Sequence, residues 1–402
     1  MSIQLFPEAT EEQRMMADAA IRVMEATCPL TAVRQAAERP AGDAAPPVGD
    51  KLWRALGGLG CFRLLASEDH GGGSLSGNGL ADAAIITADR GARLQPGPFV
   101  GTQVVVGTLS RVAATPLQAA VLEALMDGEA AATWAAGGLL AETPEPGLTV
   151  SQTPDGLAVS GTLRAVQDAD ECDWILVSTR EAQFLLATPA AGLSLEKSDG
   201  LDITRRHFTL TLDNVQVPAA AVLDDTVLDD TVLDDTVLDN TVLADWQLAV
   251  AAVLSAAESV GAMDANFTLA LEYAKTRTAF GRPIGSFQGL KHLLARTSLA
   301  LEMAKAVVAG AAEAVGSDQV DGEVLASIAR AFVSENAVEL TQSCFQVFGG
   351  IGFTWEHDQH LYMRRLASEA YLFGSPAWHR RRIWEHQHNT EHQHNTGEGS
   401  DA

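Results

Sequence analysis

YAKTRTAFGRPIGSFQ, residues Tyr273–Gln288, and QVFGGIGFT, residues Gln346–Thr354, decide how this chain is read. Each by itself is a glycine-punctuated turn, the first of them basic. Each also ends a long helical pattern. WQLAVAAVLSAAESVGAMDANFTLALEYAKTR runs into the first and EVLASIARAFVSENAVELTQSCFQVFGG into the second, with LKHLLARTSLALEMAKAVVAGAAEAV between them. Their apolar residues recur at three- and four-residue spacing or cover nearly the whole circumference. Ala-rich helices of this kind suit a bundle whose members also pack against another subunit. Residues 246–384 are therefore expected to form a C-terminal helical bundle.

Upstream of the bundle lies a pentad array, AVLDD, TVLDD, TVLDD, TVLDN, TVLAD, from Ala221 to Asp245. A period of five matches neither helix nor strand, so no face stays apolar. Its acidic pairs could meet calcium, but the glycine and ring geometry of a calcium loop are missing. A solvated linker over 223–245 is the expectation. Seven aspartates between Asp224 and Asp239 account for more than a quarter of the net charge of −25. Before it, residues 127–222 alternate in short runs (LTVSQT, LAVSGTL, WILVSTR, QFLLAT, HFTLTLDNVQV) bounded by PDG, DADECD and PAAG. These predict six to eight strands of an antiparallel β domain. Residues 1–126 are helical in pattern, as in EEQRMMADAAIRVMEA and DKLWRALGGLGCFRLL, and HGGGSLSG at His70–Gly77 reads as a tight helix connection rather than a phosphate cradle. The fold class is α+β, with an N-terminal α-helical domain, a middle antiparallel β domain and a C-terminal four-helix bundle.

The strong negative charge opposes partnership with nucleic acid or an anionic membrane surface. The four cysteines Cys28, Cys61, Cys172 and Cys344 share no CxxC spacing, which fits a reduced, cytoplasmic setting without a disulfide scaffold or thiolate metal site. No basic-then-apolar leader opens the sequence, and no run of eighteen uninterrupted apolar residues predicts a membrane span. The last eighteen residues, 385–402, read EHQHNT twice and then GEGSDA. His386, His388, His392 and His394 could chelate a metal, but nothing apolar fixes their geometry, and a disordered tail without a metal is expected.

Taken in order, LWRALGGLGCFRLLASEDHGGGSLS, PGPFVGT, DGLAVSGTLRAVQDADECDWILVSTR, LTLDNVQVPAAAVL and the two opening segments closely resemble the acyl-CoA dehydrogenase family. The resemblance covers nearly the whole chain except the pentad array and the tail. It implies the α/β/α fold, FAD as cofactor, an acyl-CoA thioester as substrate, an electron-transfer flavoprotein as acceptor, and a tetramer. In the resembling proteins the two segments touch an FAD held mainly by the neighbouring subunit. The residue chemistry agrees. Arg277 offers a guanidinium fork for a pyrophosphate, Phe280 an aromatic face and Gln288 an amide. Gln346 heads a loop whose Gly349 and Gly350 let backbone N–H groups approach a phosphate.

The departures from the family pattern concern the base. The family's reaction removes an α proton with a positioned carboxylate while flavin takes the hydride. Counting forward from Arg364-Arg365, the residue at the family's usual Glu position is Phe373, ahead of Gly374 and Ser375. The second family position, about twenty-six residues before Arg277, is Ala251. The carboxylates left nearby are Glu369, Asp245 and Glu258, of which Glu369 and Asp245 are the candidates for a relocated base. The β-domain elements that approach flavin are also eroded, to ATWAAGGLLAETPEPG and AVQDADECD, with Trp134 read as a core aromatic. Three readings follow: a subunit of a heteromeric dehydrogenase whose homologous partner carries the base, a homotetramer with a relocated base, and a non-catalytic acyl-CoA-binding or scaffold homologue.

Overall fold

The computed structural model describes residues 2–37, 50–112, 115–137, 139–140, 147–179, 181–223 and 240–397. Six helices come first: α1 (Glu11–Thr27), α2 (Leu30–Ala37), α3 (Asp50–Gly58), α4 (Gly79–Ala92), α5 (Phe99–Arg111) and α6 (Pro116–Met126). Their starts are written in the sequence. Thr10 and Gln13 form a reciprocal capping box on α1, and Thr115 and Gln118 repeat it on α6 with Pro116 at the first helical position. The Asn78 side chain accepts the Ala81 N–H to cap α4. HGGGSLSG is, as expected, the connection that leads into this cap.

Seven strands follow: β1 (Ala132–Ala136), β2 (Thr149–Thr153), β3 (Gly156–Gln167), β4 (Trp174–Ser178), β5 (Gln183–Ala187), β6 (Leu193–Ser198) and β7 (His207–Pro218). They form a four-stranded antiparallel sheet ordered β2-β3-β7-β6 and a three-stranded sheet ordered β1-β4-β5. Within the smaller sheet β1 runs parallel to β4, a mixed pairing that the alternation pattern alone does not reveal. The β3–β7 ladder slips between Leu163 and Val166, leaving Arg164 and Ala165 outside the pairing, Ala165 at φ +55°. Such a bulge re-aims the chain locally.

The third part holds α7 (Asn240–Thr276), a two-residue hairpin β8 (Thr278–Ala279) and β9 (Arg282–Pro283), α8 (Gln288–Gly316), α9 (Gly322–Phe348), α10 (Gln359–Glu369) and α11 (Pro376–Gly397). Two boundaries correct the expectations. α7 begins at Asn240, inside the stretch read as linker; the pentads from Asp224 to Asp239 lie outside the described residues. α11 continues to Gly397, so the residues from Glu385 on are helical rather than a disordered tail that far. Arg382 pairs with Asp245 of α7 and Glu323 of α9, and the helix packs along α9.

α7 is the axis of the molecule. It has the length and apolarity to cross a bilayer, yet 89% of its most apolar window is buried against other elements, which makes it a core helix. It packs on α4, α5, α8, α9 and α10. Two glycines set the α4–α7 crossing. A Cβ on Gly261 would overlap the Ala88 carbonyl, and a Cβ on Gly91 would overlap the Glu258 carbonyl. Only glycine permits backbones to approach this closely at both points.

Candidate functional site

The two opening segments meet on the surface. Arg277 leaves α7 with its N–H still donating to the Tyr273 carbonyl at 2.8 Å, and its own carbonyl accepts the Ile284 N–H at 2.8 Å. Between them Phe280 and Gly281 take φ +51° and +77° at the hairpin tip, the left-handed pair that a two-residue hairpin turn requires. Phe280 is thereby 96% exposed, while Phe287 behind it packs edge-on at 6.2 Å and carries the Arg282 guanidinium at 4.3 Å. Gln288 opens α8 on the same side, its amide 3.0 Å from His292 Nε2.

Tyr273 packs against Phe348 at 5.2 Å between ring centroids, and this contact joins the first segment to the second. Gly349 caps the end of α9 at φ +62° with its N–H donating to the Phe345 carbonyl, and neither Gly349 nor Gly350 has an atom within 4 Å of where a Cβ would stand. The following turn, with Ile351, Phe353 and Trp355 exposed, is tied to the N-terminal helices by Arg34, which reaches Asp358 at 2.5 Å and the Trp355 carbonyl. Arg277, Phe280, Gln288, Gln346 and Gly350 are all solvent-facing and Gly349 is half-buried. These groups fit a dinucleotide approached from outside: one guanidinium, two amides, an aromatic face and a loop without side chains at Gly349 and Gly350.

A second site lies inside the chain. A cavity of about 750 Å³ opens between β1, the β3 bulge and the turn from Tyr371 to Ala377 that joins α10 to α11. Phe373 sits in this turn at φ +58°, followed by Gly374 at φ +108°. Its ring stacks on Trp134 of β1, whose indole N–H donates to Ser178 Oγ at 3.0 Å. Ser178 in turn donates to the Gln183 side chain, which also accepts from Gln247 of α7. Among the described residues lining the cavity there is no carboxylate. The two cationic ones are Arg164 of the bulge and Arg380 of α11, the latter paired with Glu335.

The candidate bases are elsewhere. Asp245 pairs with Arg382 at 2.9 Å and ties α7 to α11. Ala251 is buried in α7. Glu369 and Glu258 belong to a buried ionic knot that spacing did not reveal. Arg205, from the loop before β7, bridges Glu258 and Glu369, reaching the latter at 2.9 Å. Arg365 binds Asp202 at 2.7 Å and stands 3.6 Å from Glu258 and 3.8 Å from Glu369. Ser259 donates to Glu369 at 2.7 Å. Burial and the neighbouring Glu258 push the Glu369 carboxyl up to about 7, against the pull of Arg205 and Arg365. An elevated carboxyl in a protein interior is the property of a general base, but this one faces guanidinium groups and does not line the cavity.

The knot does have a structural connection to the turn. Arg330 of α9, fully buried, donates to the carbonyls of Glu369 and Leu372, the latter at 2.8 Å. His379 Nε2 donates to the Phe373 carbonyl at 3.0 Å. Burial, with Arg330 close by, lowers the His379 imidazole to about 3, so it is neutral at physiological pH and carries its proton on Nε2.

The sequence matches the acyl-CoA dehydrogenase N-terminal domain over residues 10–129 and the acyl-CoA dehydrogenase C-terminal domain over residues 241–388. It is 31% identical over 382 residues to the acyl-CoA dehydrogenase IpdE2 of Mycobacterium tuberculosis, spanning 93% of this chain and 98% of that one. The fold matches the ChsE4-ChsE5 complex from Mycobacterium tuberculosis at a TM-score of 0.80 with 22% identity, covering 95% of this chain and 98% of the other. It also matches a glutaryl-CoA dehydrogenase from Mycobacterium smegmatis in complex with FADH2 at 0.77 with 18% identity, covering 94% and 95%.

Proposed function

The chain belongs to the acyl-CoA dehydrogenase family, whose cofactor is FAD, and on that premise we propose that it is one subunit of a heteromeric, cytoplasmic acyl-CoA dehydrogenase whose homologous partner supplies the base. The observation that carries this reading is the cavity at Phe373. At the turn that the family resemblance assigns to the base, this chain has a phenyl ring, and no described lining residue is a carboxylate. The relative solved as a ChsE4-ChsE5 complex gives a precedent for two-chain assembly within the fold.

In this reading the outward clamp acts on a neighbour's FAD. Arg277 would neutralise pyrophosphate charge, and the loop at Gly349 and Gly350 carries no side chain that would stand in the way. Phe280 covers an apolar face of the dinucleotide, and Gln288 and Gln346 fix its polar edge. FAD, when bound, accepts the hydride from the β carbon of the acyl-CoA and passes electrons to an acceptor such as an electron-transfer flavoprotein. Within this chain, the buried knot and the Arg34 tie hold the three structural parts in register, so that the clamp keeps its shape when a partner docks.

The relocated-base alternative rests on the elevated Glu369 carboxyl. The test is turnover by the co-purified two-chain enzyme with E369Q and D245N in this chain, measured by dye-linked oxidation of an acyl-CoA. A base in the partner predicts a rate within about threefold of the wild type. A fall of roughly 10²-fold or more, the usual worth of general-base catalysis, would place the base in this chain and end the proposal.

A further inference from the structure

We propose that His357 is the positioning residue of the outward flavin clamp, its ring bearing on the Tyr273–Phe348 contact that joins the two clamp segments while its Nδ1 caps α10. This rests on the clamp reading above and adds to it a residue that acts on the flavin through other residues. It holds whether the neighbour carrying the FAD is a homologous partner or a second copy of this chain.

The argument starts from where the two segments are rooted. Arg277 follows Tyr273 by four residues, and Gly349 follows Phe348 directly. The 5.2 Å contact between the Tyr273 and Phe348 rings therefore fixes how far the guanidinium stands from the glycine loop. Two rings in contact can slide past each other unless a third group bears on them. The His357 ring does so, with its centroid 4.3 Å from that of Phe348. Phe348, itself buried, thus meets one ring from α7 and one from the turn before α10.

His357 is held in turn by the helices that carry the clamp. Its N–H donates to the Thr354 carbonyl at 3.3 Å, and its Nδ1 accepts the Gln359 N–H at 3.1 Å. Gln359 is the first residue of α10, so this N–H is one that no carbonyl of the helix can reach, and the imidazole takes the place of a cap. The buried Gln359 amide donates to the Thr341 carbonyl of α9 at 3.1 Å and accepts from Asn266 of α7 at 2.6 Å. The ring that backs Phe348 is thereby referenced to both α7 and α9. Next to it, Asp358 is fixed by Arg34 of α2.

The Nδ1 bond also defines a titration. A nitrogen that accepts an N–H carries no proton, so the neutral ring has its hydrogen on Nε2. Protonation at Nδ1 sets two N–H groups against each other and removes the cap. Burial lowers the His357 imidazole below its ordinary 6.5; Asp358 opposes that shift, and the charges of Arg34 and His360 add to it. The cap is intact at pH 7.5 and is lost in mild acid.

The experiment measures FAD affinity by flavin fluorescence at pH 7.5 and pH 5.5, in the flavin-loaded assembly that contains this chain, for wild type, H357N and H357F. H357N keeps an acceptor for the Gln359 N–H and loses the ring. It should bind FAD roughly tenfold more weakly at pH 7.5, as for one lost ring contact, with a melting temperature near that of the wild type. H357F returns a ring against Phe348 and cannot titrate. Its affinity at pH 7.5 should lie between those of H357N and wild type, and it should lose less affinity than wild type between pH 7.5 and pH 5.5. A merely structural role would move the melting temperature and leave the ratio of affinities at the two pH values alone. Wild-type affinity in H357N, or the same pH ratio in all three proteins, overturns the inference. R277A separates this outcome from the clamp reading: weakened FAD in R277A with full affinity in H357N removes His357 alone, whereas full affinity in R277A removes the clamp and this inference together.

Discussion

The ring of Phe373 lies 5.8 Å from that of Trp134 and nearly parallel to it, although the two residues sit on a helix–helix turn and a sheet strand 239 positions apart. Both rings line the same cavity, which has no carboxylate among its described lining residues. Away from the cavity, the buried carboxylates Glu258, Glu369 and Asp202 meet arginines in a knot that joins the β domain to the helical bundle.

Arg205 is the centre of that interdomain knot. It comes from the β domain and bridges Glu258 of α7 and Glu369 of α10. Removing one partner of a buried ion pair costs about 3–5 kcal/mol, because the carboxylates left behind have neither water nor a counter-ion. R205M is therefore expected to lower stability by that amount in urea melts, and E258Q added to R205M should recover most of it. Additive losses in the double variant would contradict the knot.

His379 gives the chain an acid-sensitive contact. Its imidazole falls from an unfolded value near 6.5 to about 3 in the fold. The folded state thus binds fewer protons than the unfolded one between those values, and stability falls as pH drops through that window. The wild type should lose more melting temperature between pH 7.5 and pH 5 than H379Q does. Parallel pH curves for the two proteins would show that His379 is not buried neutral.

The α4–α7 crossing depends on Gly91 and Gly261. G261A forces a methyl group into the Ala88 carbonyl, where backbone rather than a flexible side chain must yield. Overpacking of this kind costs about 1–3 kcal/mol, and a fall of several degrees in melting temperature is expected. G310A on α8, where the added Cβ meets nothing within 4 Å, should be neutral or slightly stabilising, since alanine is the better helix former.

Arg277 is exposed and outside the core, so R277A should leave the melt of the chain unchanged. In the two-chain complex it should weaken FAD retention by roughly 10- to 100-fold, the worth of a charge-assisted hydrogen-bond pair. R277K should not restore it, because an ammonium lacks the planar fork. Unchanged flavin affinity in R277A would remove the clamp from the account.

Much of this was legible in the sequence because the signals are local. Capping residues Thr10, Asn78 and Thr115 mark helix starts, the TAFGRP turn carries a glycine at one of its two left-handed positions, and the two clamp segments are each contiguous. That the two segments serve one ligand was read from the family resemblance, whereas the contact of Tyr273 with Phe348 is a finding of the structure. The knot was not legible, since Arg205 finds its partners 53 and 164 residues away and nothing in TRRH distinguishes a buried arginine from a solvated one. The same holds for Glu369, read as a candidate base. Its position one turn before Phe373 is visible in the sequence, whereas the direction of its carboxylate, towards Arg205 and Ser259, is a property of packing. Trp134 was read as a core aromatic and is indeed buried, but its pairing with Phe373 depends on a left-handed turn that a phenylalanine does not announce.

The most direct test of the account is the amount of FAD per chain, read from flavin absorbance, in this protein purified alone and co-purified with its homologous partner. The account predicts little or no flavin in the lone chain and about one FAD per two chains in the complex. One FAD per chain in the lone protein would contradict it and make the chain a self-sufficient flavoprotein.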